Sequence, residues 1–226
     1  MPEIFKSEIL EKKQITPTVV CIKFSLPKEF DFIPGQYLSI SRISDGKKLR
    51  TPYSISSFRG KAYGEFCVKI IDVGKTSSHI GNLKPGDLIE LFGPLGKFGV
   101  KNKNKNLVFI STGTGIAPFL PMISDLLKNK FQHKITLLKG FRDESEILYE
   151  EEFSNLRKKH SNFEFFNILS QPKNKNYKFK GHVQDFVKKS TSDFFICGLS
   201  EMIESVKKKL TSLGISENEM FYEKYD

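Results

Sequence analysis

The sequence predicts two domains of different architecture: an N-terminal antiparallel β-barrel over residues 1–100 and a C-terminal α/β domain over residues 101–226 with a doubly wound, five-stranded parallel sheet. Two periodicities and one compositional break carry this expectation. The first hundred residues are short β-like runs punctuated by Gly, Pro and Asp, the spacing of a meandering barrel or sandwich. The remainder alternates apolar strands with amphipathic helices, the pattern that covers a parallel sheet on both faces. The change falls at KNKNKN (101–106), a polar, charged stretch suited to a boundary.

In the first half the runs TVVCIKFSL (18–26), YLSISRI (37–43), GEFCVKII (64–71) and DLIELFG (87–93) read as strands, with PGQ, SDGKK, FRGKAYG and LKPGD as the turns between them. One short helix is expected around Ser78–Leu83. In the second half LVFIS (107–111) runs into a glycine turn and the helix APFLPMISDLLKN. ITLLKGF (135–141), a charged helix from about Glu146 to His160, and FEFFNILS (163–170) follow. GHVQDFVKKS (181–190) reads as a helix, DFFICGL (193–199) as a strand, and Ser200 as the cap of a helix ending near Gly214. MFYEKY (220–225) supplies the last strand.

Composition excludes several classes. A hydrophobic fraction of 38% with 21 phenylalanines supports packed cores rather than disorder. No run approaches the roughly 20 apolar residues that span a bilayer, and the N-terminus lacks the apolar segment of a signal peptide, so the chain reads as cytoplasmic, without membrane insertion, and as a monomer. Cys21, Cys67 and Cys197 are dispersed, and His79, His133, His160 and His182 show no ligand spacing, so neither a disulfide framework nor a metal site is expected. The net charge of +10 comes from lysines scattered among asparagines, with no basic helix or stacking aromatic pair. That favours an acidic protein partner over nucleic acid.

Two segments carry candidate chemistry. In STGTGIAPF (111–119), Gly113 and Gly115 permit a tight turn and close backbone approach, and Pro118 suits a first helical turn. A helix start placed straight after a parallel strand binds pyrophosphate through free amides and dipole. The same residues also fit a plain strand-to-helix turn, and they depart from GxGxxG. RTPYSISS (50–57) groups a cation, a ring and several hydroxyls; alternation places Arg50, Pro52 and Ser54 on one face and Thr51 and Tyr53 on the other. Alone it also reads as a polar edge strand.

The ordered series PGQY, RTPYSISS, GKTS (74–77), GPLGKF (93–98), GTGIAPF and EKY (223–225) resembles the ferredoxin–NADP reductase family over almost the whole chain. The resemblance implies an FAD-binding barrel and an NAD(P)-binding α/β domain. It assigns Arg50, with Thr51 and Pro52 beside it, to the FAD pyrophosphate, Tyr53 to the isoalloxazine face and Ser54 to the neighbourhood of flavin N5. Val68, Lys69 and Ile70 match the strand passing the FAD diphosphate, and Gly74, Lys75, Thr76 and Ser77 the phosphate loop, although Lys75 equally reads as a solvated charge. Thr112, Gly113, Thr114, Gly115 and Pro118 match the nicotinamide nucleotide's pyrophosphate site, and Cys197 and Gly198 the pair beside the nicotinamide. Cys197 by itself also reads as a small buried hydrophobe. Glu223 and Tyr225 match a C-terminal ExY whose aromatic shields the other flavin face.

The implied activity is electron transfer between NADPH and ferredoxin or flavodoxin, with Ser54, Cys197, Glu223 and Tyr225 nearest the reaction. Alternatives are an NADH-using reductase component of an oxygenase system, or a flavin-bearing electron-entry subunit of a larger complex. Arg142 and Ser170, helped by Lys173 and Lys175, are the expected contacts for the ribose phosphate of NADPH. Arg142 has an alternative in pairing with Asp143 or Glu144, and NADH remains the other donor.

Overall fold

A computed structural model describes residues 2–44, 46–71 and 75–225, with the side chains of Ser44, Lys75 and Thr76 outside the description. The chain divides into two compact units, one of Met1–Gly99 together with Ala117–Asp125, the other of Val100–Ile116 together with Leu126–Asp226.

The first unit contains β1 (Glu3–Thr16), β2 (Val19–Ser25), β3 (Tyr37–Ser44), β4 (Lys47–Ser54), β5 (Tyr63–Lys69), α1 (Lys75–Asn82) and β6 (Leu88–Leu95). Its sheet runs β4-β3-β6-β1-β2-β5, every pairing antiparallel. The 14-residue β1 pairs with β6 through Glu3–Glu8 and with β2 from Ile9 onward, and the register shifts between Ile9 and Glu11. A bulge there bends the strand and lets one sheet curl. The Ser56 amide donates to the Glu65 carbonyl at 2.9 Å, tying the end of β4 to β5 across the two sheet edges. The barrel interior is the set that period-2 alternation selects: Ile9, Ile22, Phe24, Leu38, Ile40, Phe66, Ile89 and Leu91. Phe24 and Phe66 touch at 4.4 Å between ring centres; full burial of such a ring contributes about 2–3 kcal/mol.

The second unit carries a five-stranded parallel sheet of β7 (Asn106–Thr112), β8 (Ile135–Phe141), β9 (Phe163–Leu169), β10 (Ser192–Gly198) and β11 (Met220–Lys224) in the order β11-β10-β7-β8-β9. The order reverses between β7 and β10, and ligands of open α/β sheets gather at the carboxyl ends of the strands at that switch point. β10 is buried along its whole length, as a central strand covered on both faces must be. The helices after β7 are α2 (Phe119–Lys128), whose residues through Asp125 group with the first unit, and α3 (Glu150–Lys159) and α4 (Ser200–Ser212) in the second.

Three sequence expectations are corrected here. The charged helix begins at Glu150, not Glu146: Asp143 caps a separate 3-10 turn over Glu144–Glu146, and Tyr149 takes a left-handed conformation before α3. Glu150, Glu151 and Glu152 then occupy the first turn and Arg157, Lys158 and Lys159 the last, matching the helix dipole. GHVQDFVKKS forms only a 3-10 turn at Val183–Phe186. His182 and Asp185 close a capping box around that turn, and Val187 is already extended. One turn suffices to bury Val183 and Val187, so the i, i+3, i+4 spacing did not require a longer helix. Ser200 is the first helical residue; Leu199 holds the cap position, without a side-chain cap bond.

Candidate functional site

In the barrel, alternation along β4 separates two faces. Tyr53 lies opposite Leu38 and Thr51 opposite Ile40, so both point with the barrel interior. Tyr53 is half-buried with its ring 5.7 Å from Phe66, and burial pushes its phenol up to about 12. The chain then runs inward: Ser54, Ile55, Ser56 and Ser57 are all buried, with the Ile55 amide donating to the Gln36 carbonyl at 3.1 Å. Among the described residues, the hydroxyl oxygens of Ser56 and Ser57 are buried without a hydrogen-bond partner. A buried orphan hydroxyl costs about 1–3 kcal/mol, and a polar ligand removes that cost. Sequence reasoning assigned neither serine, because consecutive hydroxyls show in the sequence but their burial does not.

Arg50 sits on the outer face, its guanidinium over the Phe92 ring at 4.4 Å. It lies opposite Ser41, which is in turn opposite Glu90. A recess of about 370 Å³ opens beside this row, lined by Ser41, Arg42, Lys48, His79 and Glu90. Lys48, 2.6 Å from the Glu90 carboxylate, and the Ser41 hydroxyl hold that acid below its usual range. Arg50 and Tyr53 therefore project to opposite sides of one strand, as their odd spacing dictates. Pro52 is exposed on Arg50's side.

Along β5, Val68 belongs to the core, Lys69 is exposed, and Ile70 is half-buried with its amide donating to the Thr18 carbonyl at 2.8 Å. Gly74 lies outside the described residues, as do the side chains of Lys75 and Thr76. The Ser77 hydroxyl approaches the Ile71 backbone at 3.4 Å, below the first turn of α1.

In the α/β unit the glycine turn after β7 forms a 3-10 turn, Gly113–Ile116, ahead of α2. Pro118 precedes the helix, its carbonyl accepting from the Met122 amide at 3.3 Å. The two glycines do different work. Gly113 has φ +52° and open space where a Cβ would stand. A Cβ on Gly115 would lie 2.2 Å from the Cys197 carbonyl oxygen, so this glycine seats the turn against the end of β10. Gly198, at φ +150°, leaves room for the Thr112 hydroxyl and Met202. Thr112, Gly113, Gly115, Cys197 and Gly198 thus meet at the switch point, with Thr114 half-buried between the glycines. Among the described residues, the hydroxyls of Ser111 and Thr112 are buried without partners.

Cys197 is fully buried, and burial holds its thiol well above the ordinary value, so it is protonated at neutral pH. Glu223 stands opposite it in β11, and the nearby Tyr225 side chain opposes the upward shift without offsetting burial. The Tyr225 amide donates to the Gly198 carbonyl at 3.0 Å, tying the chain end to the same strand tip.

At the ends of β8 and β9, Arg142 hydrogen-bonds Gln171 by side chain at 3.1 Å and by backbone at 2.8 Å. The Ser170 amide donates to the Phe141 carbonyl at 3.1 Å. Lys173 reaches Asp143 at 3.6 Å, and the Glu144 carboxylate accepts from the amides of Lys173 and Asn174. The described residues contain no cluster of metal-ligating side chains and no helix long and apolar enough to cross a membrane.

The family model described as an oxidoreductase FAD-binding domain matches residues 6–99, and that of an oxidoreductase NAD-binding domain matches residues 109–208. The chain is similar to the NADH-cytochrome b5 reductase 1 of Dictyostelium discoideum, with 31% identity over 97% of this chain and 81% of that protein. It is 25% identical to the toluate 1,2-dioxygenase electron transfer component of Pseudomonas putida, over 98% of this chain and 67% of that protein. Among solved structures, a point mutant of the ferredoxin–NADP+ reductase from Plasmodium falciparum superposes with a TM-score of 0.83 and 26% identity, covering 98% of this chain and 96% of that one.

Proposed function

Because the chain belongs to the ferredoxin–NADP reductase-like family of FAD- and NAD(P)H-dependent oxidoreductases, we propose that it takes electrons from NADH and passes them singly to an acidic carrier protein of the ferredoxin, flavodoxin or cytochrome b5 kind. Bound FAD supplies the conversion between two-electron and one-electron chemistry; the protein supplies binding, orientation and electrostatics. Tyr53 offers a half-open ring face to the flavin, and the hydroxyls of Ser54, Ser56 and Ser57 supply hydrogen bonds beside it. The amides of the Gly113–Ile116 turn and the Thr112 hydroxyl receive the nucleotide's pyrophosphate. Cys197 acts as a neutral, polarisable contact rather than a thiolate, with Tyr225 nearby, and Glu223 stands one strand away.

The observation that carries the choice of NADH is the engagement of the cations that a 2′-phosphate would need. Arg142 is held by Gln171, and Lys173 is drawn to Asp143, with the Glu144 carboxylate beside them. An added phosphate would have to break these contacts and approach two carboxylates. The name of the Dictyostelium relative points the same way. The net charge of +10 supports an acidic carrier.

The test compares kcat/KM for NADH and NADPH with the FAD-loaded protein. NADH is expected to win by at least about tenfold, and Gln171→Arg to narrow the ratio by about tenfold, roughly 1.4 kcal/mol. A wild type that prefers NADPH overturns the assignment.

A further inference from the structure

At the other end of the parallel sheet from Gly113 and Cys197, the amino-terminal ends of β7, β8 and β10 open on a recess of about 420 Å³. It exists because the β9-to-β10 connection forms one 3-10 turn instead of a full covering helix. Its floor is apolar, with Val108, Leu138 and Phe194 rising from three strands. Its wall is a chain of three phenylalanines, Phe166 edge-on to Phe179 at 5.1 Å and Phe179 edge-on to Phe186 at 5.9 Å. Val108, Phe166, Phe179 and Phe186 are only partly buried by the core they pack against.

The mouth has one sign of charge to spare. Lys188 and Lys189 are exposed, line the recess, and make no ion pair among the described residues. Glu164, the carboxylate lining it, is already engaged by Lys134 at 2.8 Å and by the Thr136 hydroxyl at 3.0 Å. An apolar slot of this size with a few convergent polar groups has the form of a small-molecule site. The unpaired lysines select the ligand's charge, and the aromatic wall selects its body.

The geometry points to a second ligand site in this recess, for an amphiphilic monoanion: a medium-chain fatty acid or similar carboxylate whose tail lies along the phenylalanine wall and whose head meets Lys188 and Lys189. It is separate from the strand ends where the nicotinamide nucleotide binds, and it does not depend on the redox assignment.

Laurate, kept below its micelle concentration, is titrated calorimetrically into the full-length FAD-loaded protein. Saturable binding of one molecule per chain is expected. The exposed double variant Lys188→Glu/Lys189→Glu should weaken it by at least about tenfold, because both head-group charges are reversed. Dodecyltrimethylammonium, with the same tail and the opposite head, should bind at least about tenfold more weakly than laurate. Absence of saturable laurate binding, equal binding of the two amphiphiles, or an unaffected double variant each overturns the site. So does a recess closed by a second copy of the chain, which sedimentation would show as a dimer that laurate does not dissociate.

Discussion

Lys139 stands in the middle of β8 with its side chain fully buried, Nζ 3.2 Å from both the Leu148 carbonyl and the Glu150 carboxylate. The rings of Phe165 and Phe153 lie 4.6 and 4.9 Å away. Burial outweighs the pull of Glu150 and brings the ammonium down to about 8 from its ordinary 10.5. Between those two values the unfolded chain still holds a proton that the folded chain has shed, so stability rises with pH through this window. Below pH 8 the charged amine costs the fold roughly 3 kcal/mol against its unfolded reference. Urea midpoints of wild type and Lys139→Met should therefore converge as pH climbs from 8 towards 10.5; a constant gap would contradict the buried-charge reading. Ser56 and Ser57 make the complementary case. Their double alanine variant should leave the FAD-free protein as stable as wild type or slightly more so, since no bond inside the protein is lost. Its FAD dissociation constant should rise about tenfold or more, at roughly 1–1.5 kcal/mol per bond lost. In the sequence, Lys139 is one of 36 basic residues and the serines are two of a run. Nothing local marks them, because burial is decided by which strands lie on either side.

The glycine turn shows how an element divides its tasks. Gly113→Ala meets only the cost of a left-handed conformation, about 1–2 kcal/mol, whereas Gly115→Ala drives a Cβ into the Cys197 carbonyl. Thermal melts should show a small shift for the first. For the second, a large loss of stability or a displaced turn that no longer retains NADH is expected, and equal behaviour of the two would contradict the packing argument. The pattern GTG was legible in the sequence, but which glycine faces open space and which faces protein was not, because the answer lies in a strand more than eighty residues away. Most strands were legible, since period-2 alternation in the barrel and unbroken apolar runs in the parallel sheet are written locally, but β1 was not, because most of its residues are exposed and many are charged. The segment 181–190 misled because one 3-10 turn buries the same valines as a helix. By contrast, alternation in the sequence already set Arg50 and Tyr53 on opposite faces of one strand, and the pairing of β4 with β3 agrees.

At the scale of the molecule, two units of different architecture each hold one part of the proposed chemistry. The barrel gathers a half-buried tyrosine and orphan hydroxyls at the end of β4, and the parallel sheet brings its glycine turn and Cys197 to the switch point between β7 and β10. The family was legible because its short motifs recur in order along nearly the whole chain. The donor was not: a count of nearby cations reads as NADPH, whereas their contacts with Gln171 and Asp143 support the NADH proposed above. The most direct measurement is an anaerobic titration of the FAD-loaded protein with NADH, followed through the visible flavin band. The band should bleach stoichiometrically and return on adding an oxidised one-electron carrier. A protein that retains no FAD, or one whose bound flavin stays oxidised in excess NADH, would contradict the account.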